Sequence, residues 1–454
     1  MKSAGQQGLQ EPATCKKHVD KARPLSERLR DKSAHIAVLG LGYAGLPMAI
    51  ELGRAGFVVT GLDINDERVR LVNEGRSPVS DVSDADVANL IKTSQLSAVN
   101  KFDVLAEADC ALICVPTPLA ADHSPDLRFI EAAAESIAAH LHPDMLIVLQ
   151  STCAPGTTRR VLVPMLEASS KLRAGEDFFV AFAPERIDPG NRQYTVVNTP
   201  KLIGGVTPQC SELASLLFTS LVEHLVIVSS PEVAEMSKLV ENTFRFINIS
   251  FVNEMALLCD RMGISIWEVI EAASTKPFAF LPHHPGPGVG GHCIPVVPFY
   301  LEAAAHEYGM AARLIEAASS INEKMPQFVV AKLERLLAKR GKRLGEARVL
   351  LLGIAYKQNV NDIRESPALR VLELLAKREA HVAYYDPHVP SATCDGMVFR
   401  SLTSRELNQE HYDCAVLLTP HSDVDYCLVA RHVDLILDTR NYLTRMGGTE
   451  VVQL

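Results

Sequence analysis

The stretch that most constrains the fold is AHIAVLGLGYAGLPMAIELGRAGFVVTGLD, residues 34–63. HIAVLG reads as a short apolar strand. Gly40-x-Gly42-x-x-Gly45 then opens a helix rich in Ala, Leu and Met, and GFVVTGLD returns as a second strand ending at Asp63. A lone glycine triplet is a weak signal. Here strand, glycines, helix, strand and terminal acid fall within about 30 residues, in the order a dinucleotide site needs. Gly40 permits the tight turn, Gly42 lets the backbone approach a pyrophosphate, and Gly45 lets helix and strand pack closely. The helix N-terminus offers N–H groups and partial positive charge to phosphate. An acid at position 63 accepts bonds from ribose hydroxyls and repels a 2′-phosphate, so NAD is favoured over NADP.

A chain of 454 residues is too long for one hydrophobic core, and two or three domains are expected. The alternation continues through CALICVPTP, MLIVLQSTCAPGTT and FFVAFAPERIDPGN, where apolar strands end in polar or Pro/Gly-rich loops. In a doubly wound sheet such strand ends line the ligand crevice. Thr117, Ser151, Thr152 and Glu185 are therefore expected to face one cleft, the alternative for each being an ordinary loop or capping residue. Residues 347–389 repeat the strand–loop–helix–strand pattern, ending at Asp386, without the glycine triplet. Their loop carries Lys357, Asp362, Arg364 and Ser366, and its cations suit a phosphate-bearing ligand.

Between these units runs SSPEVAEMSKLVENTFRFINISFVNEMALLCDRMG, residues 229–263. A serine cap, Pro231 in the first turn and Gly263 at the stop frame one helix of about nine turns, against about three in an average helix. Leu239, Val240, Phe244, Ile247, Phe251, Met255 and Leu258 spread over most of its circumference, which predicts burial, as a spine between domains and as a dimer interface. Lys238 and Asn242 share one face at i and i+4. The lysine either snorkels to solvent or, with the amide, points into the cleft to stabilise charge on oxygen. The expected fold class is thus α/β, two Rossmann-like doubly wound domains joined by a long central helix. The expected boundaries are a polar, disordered leader over 1–33, domains at 34–229 and 336–454, and a central helical region over 230–335.

The net charge of −9 argues against a nucleic-acid binder. No apolar run is long enough for a bilayer, and the leader lacks a signal peptide's apolar stretch, so a cytoplasmic location is expected. Ten cysteines include no CxxC pair, which fits a reducing compartment.

The motifs GLGYAGLP, VPTP, STCAPGTT, PER, EMSKLVENTFRFINISFVNE, GPGVGGHCIPVVPFY and GIAYKQNVNDIRESPA, in this order over residues 34–445, resemble the UDP-glucose/GDP-mannose dehydrogenase family. The bacterial UDP-N-acetylglucosamine 6-dehydrogenases are the most similar branch. The resemblance implies oxidation of carbon 6 of a UDP-sugar to a carboxylate, with two NAD and two hydride transfers. UDP-N-acetylglucosamine is the first choice, UDP-glucose or UDP-N-acetylgalactosamine the alternatives. A second hydride transfer needs an sp³ adduct of the aldehyde, which a thiolate supplies as a thiohemiacetal, and Cys293 is the candidate thiol. Gly288, Gly290 and Gly291 give its loop room for the sugar, and their N–H groups are expected to lower the thiol pKa. Residue by residue, the resemblance implies Lys238 and Asn242 at the oxyanion and Glu185 as acid/base through water that Thr117 helps hold. It implies Arg186, Gly288, Gly290, Tyr356 and Lys357 at the sugar nucleotide. Tyr43, Ala44, Thr117 and Thr152 join the glycines and Asp63 at NAD, with Arg364 reaching it from the C-terminal, UDP-sugar-binding domain. No metal is implied. One position departs: GHCIPVDP is the family's usual run, and here Val297 stands where the aspartate should be. A valine neither accepts a proton nor orders water. Slowed thioester hydrolysis, a stalled thioester or release of the aldehyde are the expected consequences.

Overall fold

The computed structural model describes residues 23–79, 81–188, 190–191, 193–291, 293–443 and 449–454. Eight strands form the first sheet: β1 (His35–Leu39), β2 (Val58–Leu62), β3 (Leu96–Val99), β4 (Cys110–Ile113), β5 (Leu146–Leu149), β6 (Phe179–Phe182), β7 (Lys201–Gly205) and β8 (Leu225–Ile227). Their order is β3-β2-β1-β4-β5-β6-β7-β8, and the pairings are parallel except β6 against β7. Strands β4, β5 and β6 are buried along their whole length, as expected when helices cover both faces of a parallel sheet. The order reverses between β1 and β4, so a crevice opens where those strands end, beside Gly40.

The second sheet is smaller. Strands β9 (Arg348–Leu352), β10 (His381–Tyr385), β13 (Cys414–Leu417), β14 (Leu435–Asp438) and β15 (Glu450–Gln453) lie in the order β10-β9-β13-β14-β15, every pair parallel. A hairpin of β11 (Ser391–Cys394) and β12 (Met397–Arg400) stands apart. Two Rossmann-like units joined by a long helix are therefore present, as expected.

That helix is Pro231–Met262, 32 residues, capped by the Ser230 hydroxyl, which accepts from the Val233 N–H, and stopped by Gly263 at φ +71°. Its expected burial on all sides is not observed. Leu239, Asn242, Phe246 and Asn253 are buried against neighbouring elements. Met236, Val240, Phe244, Phe251, Leu258 and Met262 are 41–60% exposed. They recur at intervals of four or seven residues, one or two helical turns, so an apolar stripe faces outward. Circumference alone did not distinguish a helix buried within one chain from one with an apolar face to spare.

Two boundaries also move. Residues 1–22 of the expected leader lie outside the described residues, but 23–33 are ordered. The helix Leu25–Arg30 drives Leu25 and Leu29 into the first core. Arg28, 2% exposed, pairs with buried Asp109 and, at 2.9 Å, with Asp144. A polar leader hides this because its buried Arg28 finds its carboxylates about 80 and 116 residues away, a separation no local pattern shows. The helix Arg313–Lys339 runs past the expected boundary at 335, and its Met325, Val329, Leu333 and Leu337 belong to the C-terminal core.

Candidate active site

A cavity of about 340 Å³ opens where the two units and the long helix meet. The turn after β6 contributes Arg186, Ile187 and Asp188, and the helix contributes Lys238, Glu241, Asn242, Arg245 and Ile249. The glycine-rich loop contributes Gly288, Gly290 and Cys293, and the C-terminal domain Tyr356, Lys357 and Arg440. Nine residues expected from sequence thus share one wall: Arg186, Lys238, Asn242, Gly288, Gly290, Gly291, Cys293, Tyr356 and Lys357.

Lys238 and Asn242 point inward, which settles the alternatives left open above. Lys238 is 7% exposed, so it does not snorkel to water, and among the described residues it forms no ion pair. The Asn242 Nδ2 is buried without a hydrogen-bond partner among the described residues. An unmatched buried amide costs about 1–3 kcal/mol, which a ligand's oxygen would relieve. Arg245 and Arg440 add two further cations, which form no ion pair among the described residues, and both were missed from sequence. Arg245 was legible, since it stands three residues after Asn242 on one helical face. Arg440 follows β14, where strand-end reasoning applied once would have found it. Burial pushes its guanidinium down to about 10, still a cation at neutral pH.

The glycines of the loop have a different use from the one expected. A Cβ on Gly290 would stand 2.9 Å from Glu365 O and from Tyr356, and one on Gly291 would enter the Tyr356 ring at 2.6 Å. The missing side chains make room for Tyr356. The Gly291 N–H donates to Arg364 O at 3.0 Å, so it is unavailable to the thiol. Upstream, the Gly286 N–H donates to Asn253 Oδ1, and Asn253 donates on to Asn322. Buried amides on both long helices thus anchor the loop that carries Cys293. His292 lies outside the described residues.

Other expected residues stand behind the cavity wall. Glu185 does not line it. Its Oε1 accepts from the Arg186 and Ile187 N–H groups at 2.7 and 2.9 Å, and its Oε2 pairs with Lys201 at 3.2 Å. Thr117 is buried against the Tyr300 phenol. Ser151 donates to the carbonyls of Ile113 and Val115, serving the sheet's own backbone. The single cleft expected for these strand-end residues is therefore corrected: two of the hydroxyls and the carboxylate are spent internally. Thr152 is half-buried at the end of β5. Glu235, unnoticed in the sequence, is fully buried, and its carboxylate accepts from the Gly156 and Thr158 N–H groups and the Thr158 hydroxyl. It ties the STCAPGTT loop to the helix one turn before Lys238.

The dinucleotide loop has the shape its sequence implies. Gly40 takes φ +94°, and a Cβ there would meet Cys114 O at 2.6 Å. Nothing stands within 4 Å of a Cβ built on Gly42, which leaves the backbone open to an approaching phosphate. Asp63 is 6% exposed, and its oxygens accept from the Leu41 and Asn65 N–H groups with acceptor capacity left for a ribose. Arg364 lies over the Tyr43 ring, 5.1 Å from its centroid, so the C-terminal domain touches this loop directly. These residues fit an NAD.

Among the described residues, two side-chain groups have metal-ligand spacing, His388 with His421 and Asp423, and the more exposed Glu302 with His306 and Glu316. Both nitrogens of His421 are engaged, by the Asn359 N–H and by Asp386.

Three family profiles match consecutive parts of the chain. They describe the NAD binding, central and UDP binding domains of the UDP-glucose/GDP-mannose dehydrogenase family, at residues 34–222, 232–324 and 350–445. The chain belongs to that family. It is an NAD-dependent UDP-sugar dehydrogenase, an oxidoreductase. It is 37% identical over 415 residues to a UDP-N-acetyl-D-mannosamine dehydrogenase of Pyrococcus horikoshii, covering 90% of this chain and 96% of that one. To a UDP-N-acetyl-D-glucosamine 6-dehydrogenase of Pseudomonas aeruginosa it is 36% identical over 396 residues, 86% and 92% of the two chains. The solved structure of UDP-D-ManNAc dehydrogenase from Pyrococcus horikoshii superposes with a TM-score of 0.82 at 34% identity, over 92% of this chain and 98% of that one.

Proposed function

We propose that this dehydrogenase oxidises carbon 6 of a UDP-N-acetylhexosamine, UDP-N-acetylglucosamine first, to the uronic acid through a covalent Cys293 intermediate. The observation that carries the reading is the cavity wall itself. A thiol, an unpaired lysine and a buried amide without a partner converge there. The names of the two relatives, both acting on UDP-N-acetylhexosamines, support the substrate class.

NAD, when bound, supplies the hydride acceptor in each oxidation. As the C6 hydroxyl becomes an aldehyde, Lys238 and Asn242 donate to its oxygen, where negative charge grows. The Cys293 sulfur then adds to the aldehyde carbon, and the oxygen takes a proton. The thiohemiacetal carbon keeps one hydrogen, which leaves as the second hydride while the hydroxyl gives up its proton to solvent, and a thioester results. Water attacking that carbon releases the carboxylate and returns the thiol. Arg245, Arg440 and Lys357 place positive charge on the wall, where a diphosphate needs it.

Hydrolysis is the weak step in this reading. Val297, 2% exposed, packs with Leu239, Val296 and Tyr300 in a small apolar cluster, one turn after Cys293, whose carbonyl accepts from its N–H. Water is poorly held there, and Glu185 is turned away. We therefore expect an acyl-enzyme to accumulate. Incubation with NAD and a panel of UDP-sugars checks both claims, by NADH yield per sugar and by intact mass. The reading expects two NADH per UDP-N-acetylhexosamine and added mass at Cys293. One NADH per sugar would mean aldehyde release, and none with any sugar would leave a binding protein.

The nine free cysteines among the described residues support a cytoplasmic location, and no described helix is long and apolar enough to cross a membrane. The outward stripe of the long helix supports a homodimer, because an apolar stripe this long on a monomer is unusual. Phe244→Glu with Phe251→Glu is expected to yield monomers in analytical ultracentrifugation. An unchanged dimer would place the interface elsewhere.

A further inference from the structure

His421 is fully buried and has no nitrogen to spare. It lies just past β13, and the Asn359 N–H donates to its Nδ1 at 3.0 Å. A backbone N–H can only donate, so the ring proton sits on Nε2 and is given to Asp386 Oδ2 at 3.1 Å. A histidine beside a buried carboxylate is the pairing of a general base. Here the nitrogen that would take the proton already faces main chain, so the pair is built to hold something in place. What it holds is the turn between β9 and the helix Pro367–Lys377. At the start of that turn, Asp386 Oδ2 accepts from the Ile354 and Ala355 N–H groups at 2.7 and 3.0 Å. The Ser366 and Thr419 hydroxyls donate to the carbonyls of the same two residues, at 2.8 and 2.6 Å. Further on, Asn359 takes a left-handed φ of +60°, which an unsupported asparagine seldom keeps. Ser422 supports it: the Asn359 amide donates to Ser422 Oγ at 2.8 Å and accepts from the Ser422 N–H at 2.9 Å. Tyr356 and Lys357, both on the cavity wall, stand between these two anchorages.

We propose that His421 and Ser422 are positioning residues for Lys357. By clasping Asn359 they fix the turn beneath the lysine, and so they set affinity for the nucleotide part of the substrate without touching it. The anchors come from the ends of β10 and β13, the strands on either side of β9. The order of this sheet reverses between β9 and β13, which is where a ligand crevice is expected. The inference rests on the reading that this cavity takes a UDP-sugar.

The experiment measures UDP binding by calorimetry in the full chain, in His421→Phe, His421→Gln and Asn359→Gly, and in Lys357→Met alone and combined with each. His421→Phe keeps a ring and loses both bonds, and it is expected to weaken UDP about tenfold or more. His421→Gln restores most of that, since one amide can accept from Asn359 and donate to Asp386. Asn359→Gly removes the Ser422 bonds at an exposed position where glycine suits the backbone, and it is expected to weaken UDP about threefold or more. Arg245 and Arg440 remain on the wall in Lys357→Met, so its binding stays measurable. In that background His421→Phe and Asn359→Gly are each expected to cost less than about twofold more, because residues acting through one another do not add. A merely structural role would give losses that multiply. Should the phenylalanine variant unfold, Asn359→Gly and its combination with Lys357→Met decide. Unchanged affinity in either variant, no recovery with glutamine, or losses that multiply would overturn the inference. If the unaltered chain binds no UDP, it is the functional reading that fails, a result distinct from any change confined to the variants.

Discussion

Cys293→Ala is expected to abolish sustained NADH formation from UDP-N-acetylhexosamine, lowering kcat by at least about 10³-fold. The size of the loss follows from where the second hydride must come from. An aldehyde cannot lose a hydride to form an acid until a nucleophile has made its carbon tetrahedral. Cys293 is a thiol on the cavity wall, half-buried and held by a loop that two buried asparagines anchor from behind. Alanine removes the sulfur and leaves the anchoring intact, so UDP-sugar and NAD are still bound. Single-turnover absorbance at 340 nm is the check, with at most one NADH expected per site. Two NADH per sugar at an undiminished rate would remove the thiol from the mechanism.

Val297→Asp is expected to act in the opposite direction. A carboxylate one turn from Cys293 can order water or accept its proton, and such a group is worth about 10²–10⁴-fold. If deacylation limits turnover, kcat rises by up to that factor and the mass adduct disappears. The position suits an anion, since Val297 is the first residue of the helix Val297–Glu307, where the helix dipole favours negative charge. Its surroundings do not. Leu239, Val296 and Tyr300 enclose the side chain, and a buried carboxylate there is poorly solvated. Activity should therefore rise while the melting temperature falls, a pairing that a merely better-packed variant would not produce. An unchanged kcat with no adduct in either protein shows that water reaches the thioester without help at this position.

Reading along the chain worked best where chemistry and local geometry coincide. Gly40, Gly42, Gly45 and Asp63 were legible because one strand–helix–strand unit brings them together, and its backbone sets what each must be. The same holds for Lys238 and Asn242, paired by helical spacing. For Glu185 and Ser151 the sequence left two orientations open, because a strand-end residue can face ligand or sheet, and only its partners decide. Lys201 supplied the first with a counter-charge from β7, and β4 supplied the second with backbone carbonyls. The glycines before Cys293 were read correctly as demands for space, but their occupant, Tyr356, comes from a different domain.

By itself, then, the sequence determined the class of fold, the dinucleotide loop, the thiol after the glycine-rich loop and the valine four residues on, since each depends on residues close in the chain. Tertiary structure decided which cations share the cavity, that Arg28 clasps a leader onto the first sheet, and that half of an apolar helix faces outward. Those outcomes hang on burial and on partners far along the chain. A side chain's desolvation and its counter-charge exist only once distant segments have met.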